Sequence, residues 1–154
     1  MCQRCNYTEL LDGRGLEPTP NRLRIMEVIG NNQSPMGVQD ILATLRRTED
    51  INRVTVYRIL DLLVENGLVE RLSGGGRSLV YGLSPNGNHP AHPHFHCKSC
   101  GALQCMQPAS VNMDIKDIER TFAGEIRSVE IRVNGICRTC LRTGREPKTE
   151  KKTR

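Results

Sequence analysis

The sequence predicts an α+β chain of two units: an N-terminal winged helix-turn-helix domain, then a small α/β domain closed by four cysteine thiolates. Three observations predict it. Three amphipathic stretches with capping and stop residues precede two alternating apolar stretches that flank a glycine run. The turn-rich segment Ser84-Pro85-Asn86-Gly87-Asn88-His89-Pro90 separates this half from the next and reads as a hinge. The second half holds Cys97-Lys98-Ser99-Cys100 and Cys137-Arg138-Thr139-Cys140, and a tetrahedral zinc site takes four thiolates.

Thr19 can cap the first helix and Pro20 suits its first turn. Leu23, Met26, Val28 and Ile29 give it an apolar side, and Gly30 ends it. Residues 38–46 form a second short helix with Ile41, Leu42 and Leu45 inward. The third runs from the cap Asn52 to the stop Gly67. At about 100° per residue, Val56, Ile59, Leu60 and Leu63 gather on one side. Val54, Arg58, Asp61 and Glu65 lie opposite, with Tyr57 on the flank. Three short helices ending in such a face suit a helix-turn-helix, whose last helix enters the major groove. There an arginine reads guanine and a small apolar side chain touches a thymine methyl. An ordinary helix with a solvated charged side fits the same pattern, and periodicity leaves the two open. Residues 68–72 and 78–83 alternate as strands around Ser73-Gly74-Gly75-Gly76-Arg77, which makes a wing with Arg77 at its tip. The glycine run is no phosphate cradle, because no Gly-Lys-Ser/Thr follows it.

In the second half, residues 102–106 read as a strand with Leu103 and Cys105 on one face. Val111, Ile115, Ile118 and Phe122 fall at helical spacing. Val129, Ile131 and Val133 alternate with Glu130 and Arg132, and Asn134-Gly135 turns the chain into the second cysteine pair. His89, His92, His94 and His96 precede the first pair, and Cys105 follows it, so donors remain for a second metal. His92 and His94 are two apart, so an extended backbone points both rings one way. Cys105 is a third candidate ligand, and His89 or His96 the fourth. The plainer readings are a packed ring for His96, a turn residue for His89 and a small buried side chain for Cys105. Cys2 and Cys5 read as incidental thiols at a frayed end.

With 154 residues, no Trp, three Tyr and two Phe, each core must be small and mostly aliphatic. Such cores benefit from a staple, and a structural zinc contributes ~10–16 kcal/mol of apparent binding energy. Seven cysteines without an export signal or long apolar run predict a cytoplasmic, metal-ligating chain with no membrane span. The net charge of +5 is concentrated at the end: residues 1–88 hold ten basic and ten acidic residues, residues 142–154 six and two. The tail, 143–154, reads as disordered, so the high pI is weak support for nucleic-acid binding. A zinc deaminase would need His-x-Glu ahead of its cysteines, and no histidine here has that partner. Four closed thiolates leave no open coordination position, which argues against a metalloenzyme and a small organic substrate. Zinc storage leaves the winged half unexplained.

Thr19-Pro20-Asn21-Arg22, Val54-Thr55-Val56-Tyr57-Arg58 with Glu65-Asn66-Gly67-Leu68-Val69, the histidine run into Cys97-Lys98-Ser99-Cys100-Gly101, and Cys137-Arg138-Thr139-Cys140 occur in that order. Together they resemble the ferric uptake regulator family over roughly residues 16–141. The resemblance implies a dimeric, metal-dependent repressor. Its parts would be an N-terminal extension (1–15), a winged-helix DNA-binding domain (16–84), a hinge (85–91), an α/β dimerisation domain (92–142) and the basic tail. It implies structural zinc on Cys97, Cys100, Cys137 and Cys140. It also implies contact of Tyr57 and Arg58 with double-stranded operator DNA, with Arg22, Asn52, Arg53, Thr55 and Arg77 as further candidates. The family's sensing ligands, three and five residues before the first paired cysteine, fall on His94 and His92. Its usual carboxylate eight residues after that cysteine is here Cys105. Its remaining ligands align with Ser34-Pro35, near Gly82 and near Val129. Thiolate in place of carboxylate favours zinc over iron or manganese. The expected function is therefore a zinc-sensing homodimeric repressor of metal-uptake genes. An iron- or peroxide-sensing member, using Fe(2+) or Mn(2+), is the alternative.

Overall fold

The computed structural model describes residues 5–48, 50–74, 78–111, 115–126 and 129–145. Cys2, Arg77 and most of the basic tail lie outside the described residues.

The first unit is built by capped helices that share one core. Helix α1 (Tyr7–Asp12) starts at Asn6, whose side chain accepts from the Thr8 and Glu9 amides at 3.2 and 3.4 Å. Its Leu11 is fully buried. Helix α2 (Pro20–Gly30) has proline in its first turn, as its sequence predicts, while Thr19 makes no side-chain capping bond. Gly30 is a contact point: a Cβ there would collide with the Tyr7 ring, so only glycine lets α1 lie this close. Strand β1 (Met36–Gly37) leads into α3 (Val38–Leu45), with Ile41, Leu42 and Leu45 buried. Helix α4 (Arg53–Glu65) is capped by Asn52, which accepts from the Val54 amide at 2.8 Å. It ends through Asn66 and Gly67, whose φ of +66° suits glycine. The chain turns at once into β2 (Val69–Ser73) and β3 (Leu79–Leu83).

The wing sheet has the order β1-β3-β2, antiparallel throughout. The core joins Ile25, Met26 and Ile29 of α2 to the inward faces of α3 and α4, with Tyr81 and Leu83 of β3 closing it. Val56, Leu60 and Leu63 of α4 are fully buried there, which leaves Arg53, Val54 and Arg58 outside. Ile25, absent from the predicted apolar side of α2, is at its centre.

The second unit comprises β4 (His94–Cys97), β5 (Leu103–Cys105), a 3-10 turn (Pro108–Ser110), α5 (Ile115–Thr121), β6 (Arg132–Gly135) and α6 (Arg138–Thr143). The sheet order is β5-β4-β6, with β4 antiparallel to β5 and parallel to β6. Three expectations need correction. Val111 and Phe122 lie outside α5, and Val129 and Ile131 precede β6. Asn134 and Gly135 form no turn; they end β6, paired with His96 and Cys97. The local turn preference yields to the parallel ladder, and Gly135 leaves room for the Phe95 ring, which a Cβ would meet at 2.9 Å. Among the described residues no helix is long and apolar enough to cross a membrane.

Leu11→Ala should cost about 2–5 kcal/mol of stability, as for other buried leucines. Urea unfolding of the two proteins measures it. A change within about 0.5 kcal/mol would show that α1 does not belong to the core.

Candidate metal centres and nucleic-acid interface

Two donor clusters lie on either side of β4. At its end, the parallel register sets Cys97 opposite Gly135, so Cys137 follows two residues later. Cys137 precedes the first turn of α6 and Cys140 sits inside that turn. The four sulfurs lie within 4.8 Å of one another, and Cys97–Cys140 and Cys100–Cys137 are both 3.9 Å apart. A tetrahedral zinc with Zn–S bonds of about 2.3 Å has sulfurs about 3.8 Å apart, so the donor set fits. The knuckle is held by its backbone. The Lys98 amide donates to the Gly135 carbonyl at 2.8 Å, and the Gly101 amide, at a φ of +78°, donates to Cys97 at 2.8 Å. Fully buried Ser99 donates to the Arg145 carbonyl at 2.9 Å, which pins the end of α6.

The thiols also show what a cation must do there. Burial alone would raise the Cys97 thiol, but the amides of Cys100, Cys137 and Ser99 outweigh it and bring it down to about 6. Burial, with the neighbouring sulfurs, pushes Cys140 up to about 12. Four thiolates this close cannot ionise together without a cation, and a metal ion such as zinc would supply one.

The second cluster joins His92, His94 and Cys105, whose ligand atoms lie within 4.8 Å of one another. His94 begins β4 and pairs directly with Cys105 on β5. The His92 ring uses Nδ1 against the Pro90 carbonyl at 3.1 Å, which leaves Nε2 buried and without a partner among the described residues. His94 Nδ1 is likewise buried and unpartnered. Orphaned imidazole nitrogens facing one thiol are what a metal site provides in its absence, and a carbonyl on the far nitrogen is the usual orienting contact. Burial, then His92, holds His94 down at about 4, so its lone pair is free at neutral pH. Cys105 is exposed at one side, and partial desolvation on the pocket side, with Glu70 beside it, pushes its thiol up.

His89 completes the neighbourhood. Its ring stands edge-on to His92 at 5.0 Å, and paired backbone bonds to Asn86 at 2.8 and 3.0 Å fix its turn. His96 lies outside that cluster, although its Nε2 is also buried and without a partner among the described residues. Its Nδ1 meets the Asn134 side chain at 3.3 Å, and it pairs with Leu103 rather than Cys105.

Glu70 is the residue that the sequence reading missed. It lies on β2 and lines a small pocket of about 20 Å³ together with Ser34, Gly82, His89, His92, His94 and Cys105. That volume suits one ion or water and no organic ligand. Burial raises the Glu70 carboxyl, with His92 pulling it the other way. The residue pairs directly with Gly82, so a carboxylate stands one strand over from the position that looked empty. A pairing register was the signal, and a sequence does not print it.

In the first unit, α4 carries the predicted reading residues. Arg53 donates to the Tyr57 hydroxyl at 3.2 Å and lies over its ring at 5.3 Å. Arg58 is exposed and Thr55 half-buried. Asn52 spends its side-chain oxygen on the helix cap. Arg22 donates to the Glu17 carbonyl at 2.7 Å and so braces the start of α2. Arg71 of β2 pairs with Asp61 of α4 at 2.6 Å, which ties the wing to this helix.

A sequence profile described as the Ferric uptake regulator family matches residues 13–134. The chain belongs to the ferric uptake regulator family. It is therefore a metal-responsive transcription regulator and not an enzyme. The ferric uptake regulation protein of Bacillus subtilis is 28% identical over 124 residues, covering 79% of this chain and 83% of that protein. The zinc uptake regulation protein of Escherichia coli is 27% identical over 135 residues, covering 83% and 75%. Among solved structures, a zinc uptake regulator complexed with zinc and DNA matches with a TM-score of 0.60 at 26% identity, over 90% of this chain and 92% of that one. Ferric uptake regulator family relatives are named for iron uptake and for zinc uptake, which leaves the metal open.

Cys97→Ser should remove one zinc per chain and the cooperative unfolding of the second unit. Metal content by mass spectrometry and a thermal melt check it. Undiminished zinc with an unchanged melt would refute the four-sulfur site.

Proposed function

We propose that this regulator is a zinc-responsive, DNA-binding repressor of metal-uptake genes, acting as a cytoplasmic homodimer. The observation that carries the reading is the donor set of the second cluster. Two imidazoles converge on the thiol of Cys105, with a third ring, His89, beside them. Nitrogen and thiolate donors favour zinc; iron(II) and manganese(II) sites use more oxygen. The Escherichia coli relative named for zinc uptake and the neighbour solved with zinc and DNA support it.

The residues have separate tasks in this reading. Cys97, Cys100, Cys137 and Cys140 hold a structural zinc that closes the second unit. His92, His94, Cys105 and His89 hold the regulatory zinc, which ties the hinge to the dimerisation sheet. Arg53, Tyr57 and Arg58 present the reading face of α4 to the major groove. In a dimer the angle between the two first units decides whether both faces reach successive grooves. Fixing the hinge favours the DNA-binding arrangement.

A second reading keeps one specific observation. Glu70 adds a carboxylate to the pocket, and carboxylates suit iron or manganese. The Bacillus subtilis relative is named for iron uptake. Operator binding by the demetallated protein, titrated with each metal, separates the two. Zinc should switch on binding at lower free concentration than iron(II) or manganese(II). Cys105→Ala should abolish the zinc response, and Cys105→Asp should shift preference toward iron or manganese. Better activation by iron than by zinc, or an unaltered zinc response in Cys105→Ala, would overturn the zinc reading.

Acidity gives an independent check. The Cys105 thiol lies above the ordinary thiol range, so it is protonated at neutral pH and must lose its proton to ligate. His94, held at about 4, has none to lose. Regulatory zinc affinity should therefore rise roughly tenfold per unit between about pH 7 and 8.5, one proton per metal. The slope should flatten in Cys105→Ala. Calorimetric titration in buffers of different ionisation enthalpy counts the proton.

A further inference from the structure

Val54 has no task in the fold. It occupies the second position of α4 and is 56% exposed, although Val56, Leu60 and Leu63 of the same helix are buried completely. Valine is a poor helix former, so propensity does not explain it either. The first turn carries no acidic residue, and Arg53 places a cation on the positive end of the helix dipole. An arrangement that is unfavourable in the free protein is relieved by a polyanion.

The geometry shapes this end of the helix into a face. Arg53 and Tyr57, four residues apart, are clasped by the hydrogen bond and the ring stack. Val54 and Arg58, also four apart, form the adjacent row. The clasp holds the tyrosine ring against Arg53 and leaves the valine methyls uncovered between Tyr57 and Arg58. An apolar knob flanked by two arginines matches one feature of the major groove, the thymine 5-methyl group beside hydrogen-bonding base edges and phosphates.

We propose that Val54 is a specificity-determining contact of the reading helix, seated against the 5-methyl group of one thymine in each operator half-site. The inference rests on the DNA-binding reading above and names the base feature which that reading leaves open.

The test begins with full-length protein loaded with whichever metal supports binding, and a duplex selected from a random pool. Each thymine is then replaced singly by uracil, which removes only the methyl. One thymine per half-site should lose about fourfold in affinity, the worth of one buried methyl group. Val54→Ala should lose about as much on the unmodified duplex and become indifferent to uracil at that thymine alone, while keeping its sensitivity at the others. Alanine raises helix propensity at an exposed position, so the variant should melt no lower than the native protein. Val54→Thr, which keeps one methyl, should fall between. Val54→Ala with an unchanged uracil profile, or with native affinity, overturns the proposal and leaves the repressor reading intact. Failure to select any duplex with any metal overturns both.

Discussion

The parallel pairing of β4 with β6 is the constraint on which the metal chemistry depends. The two cysteine pairs are far apart in the chain; Cys97 and Cys140 are separated by 43 positions. Nothing local brings them together. The register does: His94 against Arg132 at one end, Cys97 against Gly135 at the other. The Cys137 amide then reaches the Cys97 sulfur at 3.3 Å, and the thiol cluster forms around that contact. The same strand begins with His94, which β5 sets opposite Cys105. One strand of four residues therefore positions a closed site and an open one, and a slip of one residue would turn both sets of donors to the wrong faces.

The second unit needs this arrangement because it has little else. The apolar core cluster lies entirely within the first unit, from Leu11 to Leu83. In the second, the buried groups are chiefly Cys97, Cys140, Leu103, His94, His96 and Ser99. Helix α5 leaves its flanking Phe122 57% exposed, and Val129 and Leu141 are exposed as well. A unit with so small an interior gains stability from a metal and from a second copy over its apolar side. The structural zinc and the dimer of the proposed reading answer the same deficit.

Much of the first unit was legible because its signals are local. Pro20, Gly30, Asn52 and Gly67 bound their helices at the predicted places, and Val56, Leu60 and Leu63 are buried as the helical period requires. The cysteine pairs were legible because four thiols at those spacings have few other uses. What escaped depends on distant partners. Helix α1 has only six residues, and Leu11 matters through contacts with the rest of the core. Strand β1 has two residues and exists through its pairing with β3. Asn134-Gly135 looks like a turn until β4 lies beside it. Glu70 reaches the pocket through its register opposite Gly82 and the approach of the two units.

That approach bears on how a metal could switch this protein. A ligand moves a conformational equilibrium only as far as it binds one state better than the other. His89, His92, His94 and Cys105 all belong to the hinge or the second unit. A metal held by them fixes the hinge, and a charged group of the first unit beside the same pocket would add a direct preference for one arrangement of the two units. Glu70 is placed to do so, since it lines the same pocket, and no Lys or Arg pairs with it among the described residues. Partial burial in the pocket raises the Glu70 carboxyl above its ordinary range and so disfavours its charged form. With a dication in the pocket, the same carboxylate favours closure. Moving an equilibrium from 1:99 to 99:1 takes about 5.5 kcal/mol of differential binding. Two pockets in a dimer halve what each must supply.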